Sequence, residues 1–191
     1  GGQTIDFGYE GITYAADHGA AIINCSWGSS FGGPLGQDVI DYATINKDAL
    51  VVAAAGNDDV FDPHFPSSYN YVISVAATAI SDAKAGYSNY GYDIDVCAPG
   101  TIYATGDGGI YYTNQGTSMA SPVAAGGAAL IKSMYPFFTA LQVGEQLKVT
   151  CDDIYPLNTS YQGMLGNGRI NLEQAVGGIS KPSVDMIEKV V

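Results

Sequence analysis

Three short runs of small and β-branched residues, AIINC at Ala21 to Cys25, LVVAAA at 50–55 and YVISVAA at 71–77, are apolar without alternating with polar positions. A strand that alternates can face water on one side. One that does not must be covered on both faces, the condition of a parallel sheet packed between helices. IDVCA at 94–98 adds a fourth run. Between the first two, Leu35, Val39, Ile40 and Ala43 recur at helical spacing within 34–49, and Pro34 suits a helix start. A further helical stretch, 6–18, closes at Gly19 just before the first run. Helix, strand, helix, strand in succession predicts an α/β fold with a mainly parallel sheet. The segment 101–114 differs, because Tyr and Ile flank Gly106, Asp107, Gly108 and Gly109 in the pattern of a β-hairpin.

Composition narrows the function. The 191 residues are 47% hydrophobic and only 14% charged, well under the usual charged share of about a quarter, so the chain is compact rather than solvated. Seven Lys and Arg against 19 Asp and Glu give a net charge of −12, which excludes nucleic acid as a partner because phosphate binding needs clustered cations. No apolar run reaches membrane-spanning length, and residues 1–10 lack the basic head and apolar centre of a signal peptide. Cys25, Cys97 and Cys151 are an odd set without zinc-site spacing, and they read as free thiols. The 14 tyrosines are scattered and read as packing residues.

The segment 117–135 stays nearly free of charge until Lys132 and stops at Pro136, which predicts a helix buried on all sides. Its polar end is Gly116-Thr117-Ser118, where a helix carries free backbone donors and the positive end of its dipole. Pro122 has no amide hydrogen and leaves the Ser118 carbonyl without its helical partner. A serine reached through a glycine turn at such an end is placed for nucleophilic attack beside amides that can hold an oxyanion. The same position also suits a helix cap, and position alone leaves both readings open. A second, amphipathic helix is expected over 139–149, and Lys181, Pro182 and Ser183 read as the domain exit.

The full string Gly116-Thr117-Ser118-Met119-Ala120-Ser121-Pro122 resembles the nucleophile motif of the subtilisin-like serine proteases. The likeness extends over roughly 6–176, in the family's order. Ala53-Ala54-Ala55-Gly56-Asn57 resembles the segment ending in the asparagine that donates its amide to the oxyanion. Residues 21–28, with Ser26, Trp27 and Gly28, resemble the strand that pairs with the substrate backbone. Together with Ala54, Ala55 and Gly56 they would wall the primary specificity pocket. Asp95-Val96-Cys97-Ala98-Pro99-Gly100 and Gly166-Asn167-Gly168-Arg169-Ile170-Asn171 match two further family segments, while Val123 stands where many members carry a histidine outside the triad. An unrelated α/β hydrolase fits less well, because Gly116 to Ala120 lacks the second glycine of G-x-S-x-G.

The resemblance implies a subtilisin-like parallel sheet flanked by helices, incomplete at its N-terminal side, with 1–180 as the C-terminal portion of a catalytic domain and 181–191 as a linker or tail. It implies a serine endopeptidase acting on polypeptides through an acyl-enzyme, with Ser118 as nucleophile and Asn57 as oxyanion donor. Neither a D-[ST]-G strand end nor an H-G-T-H helix start is present, so the Asp and His of the triad are expected upstream. His18, at a helix end, reads as a complement to the dipole, and His64, in Asp62-Pro63-His64-Phe65-Pro66, as a loop residue rather than the base. The alternative is a noncatalytic domain of the same fold that binds a partner. The missing N-terminal part or a second copy is expected to cover the strand Ala21 to Cys25, whose edge has no charge or proline to blunt it. No cofactor is required and no metal ligand set is assigned. The family often carries structural calcium, but Asp58, Asp59, Asp62, Asp93 and Asp95 lack EF-hand spacing and read as a solvated acidic surface. Secretion or a place in the cell envelope follows from the resemblance alone. Glycine and alanine walls predict room for bulky apolar side chains before the scissile bond, with basic ones tolerated near Asp58.

Overall fold

The structure, a computed structural model, describes residues 6–177. Four strands, β1 (Ile22–Cys25), β2 (Leu50–Ala54), β3 (Val72–Thr78) and β4 (Val96–Pro99), form an all-parallel sheet in the order β1-β2-β3-β4. Ile22 lies opposite Leu50, Val51 opposite Val72 and Val75 opposite Val96. Each strand is one of the four apolar runs, with shifted ends. Tyr71 adopts φ 67, which an extended chain cannot hold, so β3 starts at Val72. Asp95, expected inside β4, precedes it, and its carboxylate accepts the Ser74 amide of β3 at 2.8 Å.

Successive side chains of a strand point to opposite faces, and both faces are covered. On one side Val51 and Ala53 pack with Ile12 and Ala16 of α1 (Gly8–Asp17) and Ile40 of α2 (Pro34–Asp41). On the other Leu50 and Val52 pack with Ala124, Ala128 and Ile131 of α3 (Thr117–Met134), with Val143 and Leu147 of α4 (Ala140–Val149) and with Ala175 of α5 (Leu172–Gly177). Thr139 and Gln142 cap α4 reciprocally, side chain to main-chain N–H in both directions, at 3.2 and 2.9 Å. The hairpin is present as β5 (Thr101–Thr105) and β6 (Tyr111–Gln115), paired antiparallel apart from the main sheet.

Three expectations need correction. The stretch 34–49 is not one regular helix: beyond Asp41 it widens into a π turn, with Lys47 N–H donating to the Tyr42 carbonyl at 3.1 Å. Leu35 lies outside the core, 73% exposed, because Gly36 and Ile40 carry the buried side of α2. Helix α3 is not buried all round: it crosses the four strands and packs on α4 and α5, and the stripe left outside these contacts exposes Leu130 and Met134. The cysteines are free, and burial pushes the thiols of Cys25 and Cys151 up to about 12 and that of Cys97 up as well. The expected exit and tail at 181–191 lie outside the described residues. Among the described residues no helix is long and apolar enough to cross a membrane, and no group of His, Cys, Asp or Glu could hold a metal ion.

If α4 supplies the core and the outer stripe of α3 does not, Leu147→Ala should cost about 2–5 kcal/mol in denaturant unfolding. Leu130→Ala should stay within about 1 kcal/mol.

Candidate active site

Ser118 occupies the second position of α3, at the end of the helix that points toward the C-terminal edge of the sheet. Gly116, at φ 148, makes the turn from β6 into the helix, a conformation that side chains avoid. Helix geometry leaves the Ser118 amide without an intrahelical acceptor. The expectation about Pro122 holds: the Ser118 carbonyl has lost its helical partner and accepts the Ser26 hydroxyl of the segment after β1 at 2.8 Å. The Ser118 hydroxyl returns the contact, donating to the Ser26 carbonyl at 3.1 Å. Nucleophile candidate and strand end are thus clasped twice.

Asn57 follows β2, and its side-chain oxygen accepts from the Thr117 amide at 2.8 Å and the Thr117 hydroxyl at 3.0 Å. With the oxygen committed to Thr117, Asn57 Nδ2 donates to no group among the described residues. Asn57 Oδ1, Asn57 Nδ2 and the Ser118 amide all lie 3.6–3.7 Å from the point where a Cβ of Gly116 would stand, so the Asn57 side chain and the Ser118 amide border one small space. Donors arranged in this way can hold an oxygen as it gains negative charge. The Thr117 hydroxyl accepts the Gly56 amide at 3.2 Å, tying the β2 end to α3.

The remaining expected pocket residues lie at the ends of β1 and β2, where Gly28 and Gly56 both face the His64 ring. Ala54, Ala55 and Gly56 are buried at the end of β2, and Ser26 and Trp27 are half-buried after β1. The indole of Trp27 turns away from the cleft, edge-on to Tyr9 of α1 at 5.5 Å. The expected room beside the glycines is already taken. A Cβ on Gly28 would collide with the His64 ring, and one on Gly56 would collide with Asn89 and stand 3.1 Å from His64 Nδ1. Ser29 and Phe65 exchange main-chain hydrogen bonds, both 2.8 Å, and this bridge holds His64 against Gly28. The His64 main chain is bound further by Ser67 and Ser68. His64 is therefore a packed loop residue, and no ring hydrogen bond to Ser118 is present among the described residues. His18 is exposed at the end of α1, its Nδ1 bonded to the Tyr14 carbonyl at 2.7 Å.

The acidic loops are not a solvated surface throughout. Asp95 is buried, Ser68 donates to Asp93, and Asp59 pairs at 2.6 Å with Lys84, whose ammonium also donates to the carbonyls of Ala85 and Ser88. Asn89, buried and unremarkable in sequence, organises the turn that carries Asn57: its Oδ1 accepts the Asp58 amide at 2.9 Å and its own amide donates to the Gly56 carbonyl at 3.0 Å. Only Gly56, which must have a neighbour too close for any side chain, could have hinted at it.

An all-parallel α/β sheet with a serine in the first turn of a helix packed across it, beside an asparagine side chain, is an arrangement that suits a serine hydrolase. The Subtilase family profile matches residues 4–170, and the chain belongs to that family, one of serine proteases. It is 40% identical over 167 residues to thermitase of Thermoactinomyces vulgaris, covering 87% of this chain and 57% of that protein. It is 41% identical over 146 residues to a cell wall-associated protease of Bacillus subtilis, covering 75% of this chain and 16% of the relative. A protease of Pseudoalteromonas arctica superposes with a TM-score of 0.80 at 30% identity, over 90% of this chain and 58% of that structure. The chain thus spans less than two thirds of the relatives it matches.

Burial holds the His64 imidazole below its ordinary value, against the opposing pull of Asp58 and Asp93. The unfolded chain therefore takes up this proton first as pH falls. The stability from neutral His64 should be complete above about pH 6.5 and lost as pH drops through the lower folded value. Denaturation midpoints measured from pH 8 down to pH 5 should show a weaker decline in His64→Gln than in the parent chain.

Proposed function

We propose that this chain is the nucleophile-bearing portion of a subtilisin-like serine endopeptidase, with the Asp and His of its triad supplied by sequence upstream. The observation that carries the reading is the hold of Thr117 on Asn57 Oδ1, which sets the Asn57 side chain beside the Ser118 amide at the start of α3. In this mechanism Ser118 Oγ attacks the peptide carbonyl carbon while an upstream histidine takes the hydroxyl proton. Asn57 and the Ser118 amide hold the oxygen as it becomes negative. The C–N bond then breaks, the histidine returns the proton to the leaving amine, and water hydrolyses the acyl-Ser118 ester by the reverse path. No step uses a metal or cofactor.

The substrate is a polypeptide, its side chain before the scissile bond entering between Ser26-Trp27-Gly28 and Ala54-Ala55-Gly56. His64 closes the space the two glycines leave, so the pocket takes apolar side chains of moderate size rather than the bulkiest. Upstream sequence completes the sheet at β1, which has a neighbour only on its β2 side among the described residues. Secretion or attachment at the cell envelope suits the cell wall-associated relative.

In the chain alone the Ser118 hydroxyl keeps its proton and donates it in a hydrogen bond to the Ser26 carbonyl. A serine-directed fluorophosphonate should therefore label the chain alone slowly, and label it rapidly once the upstream segment is restored. In that restored protein Asn57→Ala should lower kcat by on the order of 100- to 1,000-fold, the loss found on removing such a donor from a subtilisin. Restored protein that neither labels nor cleaves peptides would favour the noncatalytic, partner-binding reading.

A further inference from the structure

Ser118 and Ser121 stand three residues apart on α3, so they share one face of its first turn. Asn24 and Ser26 stand two apart along β1 and its extension, so they too share a face, the one turned toward α3. The two periods meet as a two-by-two ladder. Ser26 meets Ser118 in the double clasp described above, and Asn24 meets Ser121, whose buried hydroxyl donates to Asn24 Oδ1 at 2.7 Å. A fourth hydrogen bond joins the rungs, as Asn24 Nδ2 donates to Ser26 Oγ at 2.9 Å.

The direction of this chain matters. Ser26 Oγ receives the Asn24 amide proton, so its own proton is aimed at the Ser118 carbonyl, the acceptor vacated by Pro122. The Ser118 carbonyl can only accept, so with the Ser26 proton given to it the Asn24 amide must present Nδ2 to Ser26, which leaves Oδ1 for the Ser121 hydroxyl. The polarity runs from Ser121 through Asn24 and Ser26 to Ser118 without a reversal. The groups bonded to the Asn24 side chain are two hydroxyls, and no charged side chain is among them.

We propose that Asn24 is a positioning residue for the nucleophile: its amide, bridging Ser121 and Ser26, sets the Ser26 hydroxyl that holds the Ser118 carbonyl and so the place of Ser118 Oγ. Asn24 touches neither substrate nor reacting atoms, and it acts through Ser26. It also lies on β1, at one edge of the sheet among the described residues, so whatever pairs with that edge bears on the same ladder. The inference rests on the protease reading, since a nucleophile's placement has meaning only where Ser118 attacks.

The test uses the intact protease with its upstream segment and compares kcat and KM on a peptide substrate. Asn24→Ala removes both hydrogen bonds of the Asn24 side chain, and the loss of the one neutral hydrogen bond that reaches Ser26 should lower kcat about three- to tenfold with KM unchanged. Asn24→Asp keeps the shape but replaces the donor with a carboxylate that accepts from both hydroxyls, turning the Ser26 proton away from Ser118. Its kcat should fall at least as far at neutral pH. Its ratio to wild type should then recover as the pH falls and the carboxyl gains a proton, a response that loss of packing alone would not give. Ser26→Ala combined with Asn24→Ala should be no worse than Ser26→Ala alone. A near-isosteric Asn24→Asp with wild-type kcat at every pH, or a rise in KM with kcat unchanged, would overturn the inference while leaving the protease reading intact. Wild-type protein that cleaves no peptide would overturn both.

Discussion

Pro122 has no amide hydrogen, and much of the site depends on that absence. In an unbroken helix the Ser118 carbonyl would be bound to residue 122 and the first turn of α3 would be closed on itself. Here the carbonyl is free to accept the Ser26 hydroxyl, and the Ser118 hydroxyl answers by donating to the Ser26 carbonyl. A helix packed on a parallel sheet is thereby locked to the end of β1 at Ser118, the proposed nucleophile. The missing hydrogen bond costs α3 some stability and gives the site a fixed reference between two elements far apart in the chain.

A second fixed reference comes from Thr117. Its amide and hydroxyl both bind Asn57 Oδ1, and its hydroxyl also takes the Gly56 amide, so β2 and α3 share one junction. An exposed amide group could rotate to present either oxygen or nitrogen. Two donors on the oxygen remove that freedom, which is the preorganisation the proposed oxyanion role requires. Glycine at 28 and 56 serves a different end: His64 and Asn89 occupy the space where side chains would be. The cleft is consequently tighter than its glycine and alanine walls suggest.

The four strands and their parallel order were legible because runs buried on both faces cannot hide their lack of alternation. The helix at Ser118 was legible from its nearly charge-free apolar run, and the consequence of Pro122 from covalent chemistry. What escaped the sequence depends on contacts between distant segments. Nothing local to Asn89 marks it as the support of the Asn57 turn, and Asn24 looks like any polar residue near a strand end. The π turn at Tyr42–Asn46 hides within helical spacing, and Leu35 counts as apolar there although the rotation of α2 leaves it outside. The acidic residues misled for the same reason, since their spacing does not reveal that Lys84, Ser68 and the Ser74 amide lie waiting for Asp59, Asp93 and Asp95.

The central claim is that Ser118 and Asn57 form a prepared site for a carbonyl oxygen, and a covalent adduct tests it most directly. A crystal structure of the intact protein with a peptide aldehyde or boronate bonded to Ser118 Oγ would locate the oxygen that stands for the oxyanion. The account predicts that oxygen within hydrogen-bond distance, about 2.7–3.1 Å, of both Asn57 Nδ2 and the Ser118 amide, with Asn57 Oδ1 still held by Thr117. An adduct whose oxygen points away from Asn57, or an Asn57 side chain that has left Thr117 to reach it, would contradict the account.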